Sequence, residues 1–194
     1  MAELRRRAVH LSGTVYPASY LLDLLDYTGF RVALGVTLAA VLLLEFFRLV
    51  VGFDHRIYAE LTREYEEETV AGYALFFVGS FAAALAFRPA IAVPAVLMLS
   101  IGDPISGVLG SADATTAKEL GVLGVMFLVC FGIALPFASS VAGRLPGIAV
   151  AVAGALGATV ADGVKPVIAG YVVDDNLSIP PLAASAMWLV LRIV

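Results

Sequence analysis

Residues 32–50 read VALGVTLAAVLLLEFFRLV, and stretches nearly as apolar recur along the rest of the chain. Coiled as an α-helix, a run of about 20 such residues matches the hydrocarbon thickness of a bilayer. No water is available there to satisfy backbone N–H and C=O groups. Each run must therefore bond to itself, which leaves helices as the answer for a series of such runs. Composition agrees. An average soluble domain is about 45–50% apolar and about 25% charged. This chain of 194 residues is 61% hydrophobic and 14% charged, with a mean hydropathy of +0.96. Those values exclude a soluble globular domain, a disordered chain and a disulfide scaffold. A net charge of −4 and a pI near 5.1 leave no basic surface to neutralise a phosphate backbone, so nucleic acid is not an expected partner.

Seven spans are expected, at about 8–26, 32–50, 70–87, 90–110, 120–138, 146–164 and 178–194. The first is the weakest, because Gly13, Pro17, Asp23 and Asp26 fall in it or at its end. Gly and Ala fill the third, fourth and sixth, which suits close helix packing where lipid offers no hydrophobic drive between helices. The expected fold class is all-α: a polytopic transmembrane bundle forming one domain over 1–194. The opening MAELRRRAVHLSG starts basic, but polar residues and Gly interrupt its apolar part, so it does not read as a removable signal peptide. The single cysteine, Cys130, lies in an apolar run and reads as a small core side chain. The loop at about 51–69 is polar and Glu-rich and is expected to form a helix near the interface.

Orientation follows the distribution of Lys and Arg in short loops. With the N-terminus inside, the inner segments hold Arg5, Arg6, Arg7, Arg48, Arg56, Arg63, Lys118 and Lys165. The outer segments hold Arg31, Arg88, Arg144 and Arg192. Eight against four places the N-terminus in the cytoplasm of an integral, multi-pass membrane protein.

In that arrangement the polar residues gather at the inner face. Arg5 to His10 lead into the first span, Asp103 lies near the inner end of the fourth, and Lys118 precedes the fifth. Asp162 and Lys165 close the sixth, and Asp174, Asp175 and Asn176 open the seventh. Charges in spans are costly and mark functional candidates. Carboxylates and cations at one face suit a divalent metal with a polyphosphate, because Mg²⁺ takes carboxylate oxygens plus substrate phosphates, and phosphates take Lys and Arg. Each group also has a plainer reading. Asp103 in SIGDPISG can also be read as a helix cap with Pro104 in the first turn, and VVDDNLSIP as a turn with an N-cap. Glu66-Glu67-Glu68 reads as a solvated face, and Glu45 with Arg48 as a helix-surface pair. His55 falls in an exposed loop.

Four strings, in order and covering nearly the whole chain, resemble the CTP-dependent kinases of dolichol, polyprenols and phytol. They are ELRRRAVHLSGT, LTREYEEETVAGYALFFVGS, LSIGDPISGVLGS and ALGATVADGVKPVIAGYVVDDNLSIPPLAA. The third is similar to the family's Gly-Asp motif, with a small residue three positions after the Asp and Gly seven after. The resemblance implies a membrane enzyme that moves the γ-phosphate of CTP to an isoprenoid lipid alcohol, with Mg²⁺. It puts metal binding at Asp103, Asp174, Asp175 and Asn176. Nucleotide and phosphate contact falls to Arg7, Gly102, Gly110, Lys118, Arg63 and Lys165, and Glu64 joins the inner face. Deprotonation of the alcohol falls to Asp162 or His10. The chain departs from the family after the Gly-Asp motif. The family's Lys-x-x-Glu-Gly string is replaced by SADATTAKELGVLGV, and its usual Glu in the sixth span is Asp162. Competing readings are a diacylglycerol or ether-glycerolipid kinase, a cytidylyltransferase forming a CDP-lipid, and a small transporter. Against the last, most polar residues lie at one end of the spans and no inverted repeat is visible.

Overall fold

A computed structural model describes residues 8–53, 55, 58, 62, 66–110, 118–164, 166–168 and 171–194. Among these, the chain is helical apart from a small antiparallel ladder. Residues 8–12 are helical, and a turn at Gly13 and Thr14 separates them from α1 (Val15–Leu21). The long helix α2 spans Tyr27–Leu49. Next come α3 (Gly72–Ala86), α4 (Pro89–Leu97), a π-helical turn (Met98–Gly102) and α5 (Asp103–Leu109). Helices α6 (Leu120–Ala142) and α7 (Arg144–Gly163) form a hairpin through Gly143, whose φ of 81° suits glycine. Strands β1 (Val167–Ile168) and β2 (Tyr171–Val172) pair before α8 (Asp175–Leu191).

Four stretches are long and apolar enough to cross a membrane: α2, the continuous α4–π–α5 helix, α6 and α7. Their outer surfaces confirm the solvent they are built for. Only 17% of the hydrophobic window of α2 and 22% of that of α6 are buried, and Val32, Val36, Leu43 and Leu128 are exposed. Apolar side chains turned outward over such lengths fit lipid and not water. This is a helical membrane protein.

The expected first span, 8–26, takes a different form. Gly13 breaks the helix after residue 12, and the chain leaves α1 through Asp23 at φ 55°. Asp26 then caps α2, its Oδ1 accepting from Gly29 N at 2.6 Å. The pieces are short and pack on α2, α3 and α4. Tyr16 meets Phe77 edge-on, and Tyr20 meets Tyr27 and Phe30. The last helix starts at Asp175, earlier than the expected 178, because Asp174 supplies its cap. Of the helix expected over about 51–69, residues 54, 56, 57, 59–61 and 63–65 lie outside the described residues, and the described stretches 51–53 and 66–69 are not α-helical.

The α4–π–α5 helix is the most buried of the four, with 67% of its window inside. Around it, α6 packs on α7, α7 on α8, and α8 on α3. Proline and glycine make the last contact close. Pro180 and Pro181 have no N–H, so the carbonyls of Asn176 and Leu177 lose their partners four residues on. Those two oxygens lie against Gly79 of α3, where a Cβ would sit 2.7 Å from each. A similar approach brings Gly157 of α7 to the Leu182 carbonyl, 2.9 Å from where a Cβ would be. Pro104 likewise has no N–H to give to the Ser100 carbonyl, and the wide π turn falls at that point.

Glu45 and Arg48 are not a surface pair. Both side chains are under a tenth exposed. Arg48 grips Glu45 through Nε at 3.0 Å and Nη2 at 2.7 Å. The same guanidinium donates to the carbonyls of Glu66, Glu67 and Thr69. Glu45 also accepts from Ala71 N at 2.9 Å and from the Tyr73 hydroxyl. Glu66 is buried as well, contrary to the solvated face expected of it, and accepts from Gly72 N at 3.3 Å. The end of α2 is thereby pinned to the turn that opens α3.

Removing one partner of a buried ion pair strands the other. Arg48→Met should therefore lower stability by about 3 kcal/mol or more. Arg48→Lys should recover only part of it, since an ammonium cannot make the forked contacts. Thermal unfolding in mild detergent measures both, and unchanged melting of Arg48→Met would refute the assignment.

Candidate functional site

The α4–π–α5 helix, the lead-in to α6, the end of α7 and the start of α8 bring their polar side chains to one place. Asp162 is fully buried. Its Oδ1 takes a hydrogen bond from Lys118 Nζ at 2.5 Å, and its Oδ2 takes one from Ser106 Oγ at 2.7 Å. Lys118 also donates to Ser106 Oγ at 3.0 Å and lies 3.8 Å from Asp103 Oδ1. On the far side of Asp103, Oδ2 meets His10 Nδ1 at 3.2 Å. Asp175 completes the group: one carboxylate oxygen from each of Asp103, Asp162 and Asp175 lies within 4.8 Å of the other two.

Each member is positioned by local sequence logic. Asp103 occupies the first turn of α5, directly after the π turn, with Pro104 behind it. Three residues on, Ser106 falls on the same helical face. Gly110 ends α5 in an extended conformation, and Lys118 folds back over it, its Cδ 4.0 Å from where a Gly110 Cβ would be. Asp162 lies in the last turn of α7. Asp174 caps α8 by accepting from Asn176 N at 2.9 Å and from Asn176 Nδ2 at 2.6 Å, which leaves Asp175 in the first turn facing the cluster. Asn176 Nδ2 in turn lies 3.0 Å from where a Cβ would be on Gly72. The segment held by Glu45 and Arg48 therefore buttresses the start of α8.

Of the residues singled out in the sequence, the structure unites His10, Asp103, Lys118, Asp162 and Asp175, with Gly110 beside them. Asp174 and Asn176 form a cap next to the group. Gly102 serves helix packing: a Cβ there would meet Met126 Sδ at 3.0 Å and Cys130 Sγ at 3.1 Å of α6. Cys130 itself is buried in that contact, as expected. Arg7, Arg63, Glu64 and Lys165 lie outside the described residues. Ser106 was not singled out as a site residue. Its signal was the small residue three positions after Asp103.

The donor set fits a hard divalent cation. Three converging carboxylates offer oxygen only, which suits Mg²⁺ and lacks the nitrogen or sulfur donors typical of zinc. His10 turns Nδ1 to a carboxylate and not to the centre of the cluster. Compared with family models, curated proteins and solved structures, the chain matches none.

Lys118 neutralises Asp162 where no water reaches it. Lys118→Met should cost about 3–5 kcal/mol of stability, the range for stranding a buried charge. The double variant Lys118→Met with Asp162→Asn should recover much of that loss. A double variant no more stable than Lys118→Met, measured by thermal unfolding, would show that the pair does not carry the charge of Asp162.

Proposed function

We propose that this protein is a CTP-dependent kinase of an isoprenoid lipid alcohol, of the dolichol, polyprenol or phytol type. The observation that carries the reading is the convergence of Asp103, Asp162, Asp175, Lys118 and His10 at one end of a lipid-facing bundle. The choice of CTP and of an isoprenoid acceptor rests on the four strings that resemble that family. The excess of Lys and Arg in the segments at this end favours placing the site, and the N-terminus, at the cytoplasmic face.

Phosphoryl transfer asks for positioning and charge neutralisation more than for covalent chemistry. Asp103, Asp162 and Asp175 would hold Mg²⁺, which when bound offsets the charge of the nucleotide phosphates. Lys118, anchored by Asp162 and Ser106, keeps an ammonium at the same place for a phosphate oxygen. His10 is the group fitted to take the proton of the alcohol. In the neutral imidazole, a proton placed on Nδ1 for an ionised Asp103, which accepts and cannot donate, would leave the lone pair on Nε2. Asp162 is less suited, because its oxygens already accept from Ser106 and Lys118 and their remaining lone pairs would go to the metal. The alcohol oxygen forms a bond to the γ-phosphorus as the bond to the bridging oxygen breaks. CDP leaves, and the hydroxyl proton passes to His10.

The test uses purified protein with Mg²⁺, a panel of polyprenols, phytol and diglycerides, and CTP labelled at either the γ- or the α-phosphate. Label from the γ-position should appear in one alcohol, with CDP released. Transfer from the α-position with release of pyrophosphate would replace the reading with cytidylyl transfer, and no transfer from any nucleotide would overturn it. Asp103→Asn and Asp175→Asn should abolish transfer while leaving the helical signal intact. His10→Ala should lower kcat by roughly 100-fold, the lower range for losing a general base, with KM for CTP unchanged.

A further inference from the structure

A cavity of about 330 Å³ lies between residues 8–16 and α3. Its floor is formed by Gly13, Tyr73 and Phe76, all buried, and by Phe77. Its rim is formed by Val9, Ser12 and Val15, all exposed. The rim therefore opens the space to the bundle's surroundings. His10 forms part of the wall, its ring 5.5 Å from that of Phe76.

The polar side chains of the lining are turned to other tasks. The Tyr16 hydroxyl shares a hydrogen bond with the Thr37 hydroxyl at 2.7 Å. The Tyr73 hydroxyl donates to Glu45, and Ser12 Oγ donates to the Val9 carbonyl at 2.6 Å. Both tyrosines thus have their polar tips bound elsewhere and bring ring carbon to the cavity. His10 is the exception. Its Nδ1 is committed to Asp103, which leaves Nε2 as the ring nitrogen able to accept a hydrogen bond. The space is an apolar slot with one acceptor in its wall, joined through that residue to the carboxylate and lysine cluster.

We infer that this cavity seats the apolar chain of a long-chain alcohol, with its hydroxyl on His10 Nε2 and the rest of the chain running out between Val9 and Val15 into lipid. At about 30 Å³ per heavy atom, the share a water takes in the liquid, the slot holds roughly ten chain atoms. The open rim means that longer chains are accepted and not measured. Affinity should rise with chain length up to about ten carbons and then level off. This assignment rests on the kinase reading for what happens to the hydroxyl, but not for its binding.

The experiment is photolabelling of nucleotide-free protein in nanodiscs, using a long-chain primary alcohol that carries a diazirine near its fifth carbon. Label is expected in residues 8–16 and 72–77. An unlabelled alcohol should compete it away, and an alkane or phosphatidylcholine of equal chain length should not. Val9→Trp with Val15→Trp, both at exposed rim positions, should reduce labelling at least 10-fold and raise KM for the alcohol by a similar factor, with KM for CTP unchanged. His10→Phe should abolish the advantage of the alcohol over the alkane as competitor. Label elsewhere, or label displaced equally by phosphatidylcholine, would overturn the assignment and mark the cavity as a seat for bilayer chains. Labelling as expected without phosphoryl transfer would sink the kinase reading and leave the seat standing. Transfer with label elsewhere would do the reverse.

Discussion

Asp162 carries its carboxylate at the end of a membrane-spanning helix with no exposure to solvent. Such a group is tolerable only if cation and hydrogen-bond donors are brought to it. Here they come from two other elements: Lys118 from the approach to α6, and Ser106 from α5. Meeting that demand fixes where the end of α7 lies relative to both. It also draws in Asp103, which shares Lys118, and sets Asp175 among the same oxygens. The requirement of one buried charge and the assembly of the candidate site are therefore a single constraint. A ligand cation would enter an arrangement whose geometry is already held by the protein's own ion pair.

The remainder of the bundle has to hold its register without a hydrophobic force between helices. Close backbone approach supplies part of that. Gly79 meets the two carbonyls whose donors four residues on are replaced by Pro180 and Pro181, and Gly157 meets Leu182. Polar anchoring supplies the rest. Arg48 ties the end of α2 to the turn before α3, and Gly72 at the start of α3 rests against Asn176, next to Asp175. A chain of contacts thus runs from the Glu45–Arg48 pair to the start of α8, where it adjoins the carboxylate cluster.

What the sequence made legible follows from cost. Charges are expensive in apolar spans, so those present must find one another. His10, Asp103, Lys118, Asp162 and Asp175 were each conspicuous against Gly, Ala, Val and Leu for that reason. The helices from α2 onward were legible because their residues are predominantly apolar over about 15–20 positions, and four of these stretches are long and apolar enough to cross a membrane. The opening segment was not, since Gly13 and Pro17 disturb the helix while its apolar residues persist. Ser106 escaped notice because a neutral hydroxyl carries no such cost, and its role appears only in its distance to Asp162. Glu45 and Arg48 were misread because three-residue spacing is identical for a surface pair and a buried one. Glu66 was hidden in a run of like residues, of which it alone is buried. Asp174 and Asp175 are neighbours with identical side chains. Only the helix start separates them, assigning one to the cap and the other to the cluster.

A kinase acting on a lipid alcohol must reconcile two reactants that prefer different media. A nucleotide triphosphate cannot enter hydrocarbon, and a long apolar chain cannot leave it without large cost. Chemistry is then confined to a boundary at which a hydroxyl can be offered from one side and a phosphate from the other. His10 has the position such a boundary demands. One ring nitrogen is bonded to the acidic cluster, and the ring stands in the wall of an apolar slot whose rim residues are exposed at the surface of the bundle. The lone pair on Nε2 would make a hydroxyl in the slot more nucleophilic only when that hydroxyl is next to the cluster. Water offers the same hydroxyl chemistry without the chain, so the apolar lining matters for selectivity as much as for affinity. It gives up little to water and much to an alkyl group. Under the kinase reading, the tyrosine hydroxyls bound to Thr37 and Glu45 serve that end, because each polar tip turned away removes a place for water to settle beside His10.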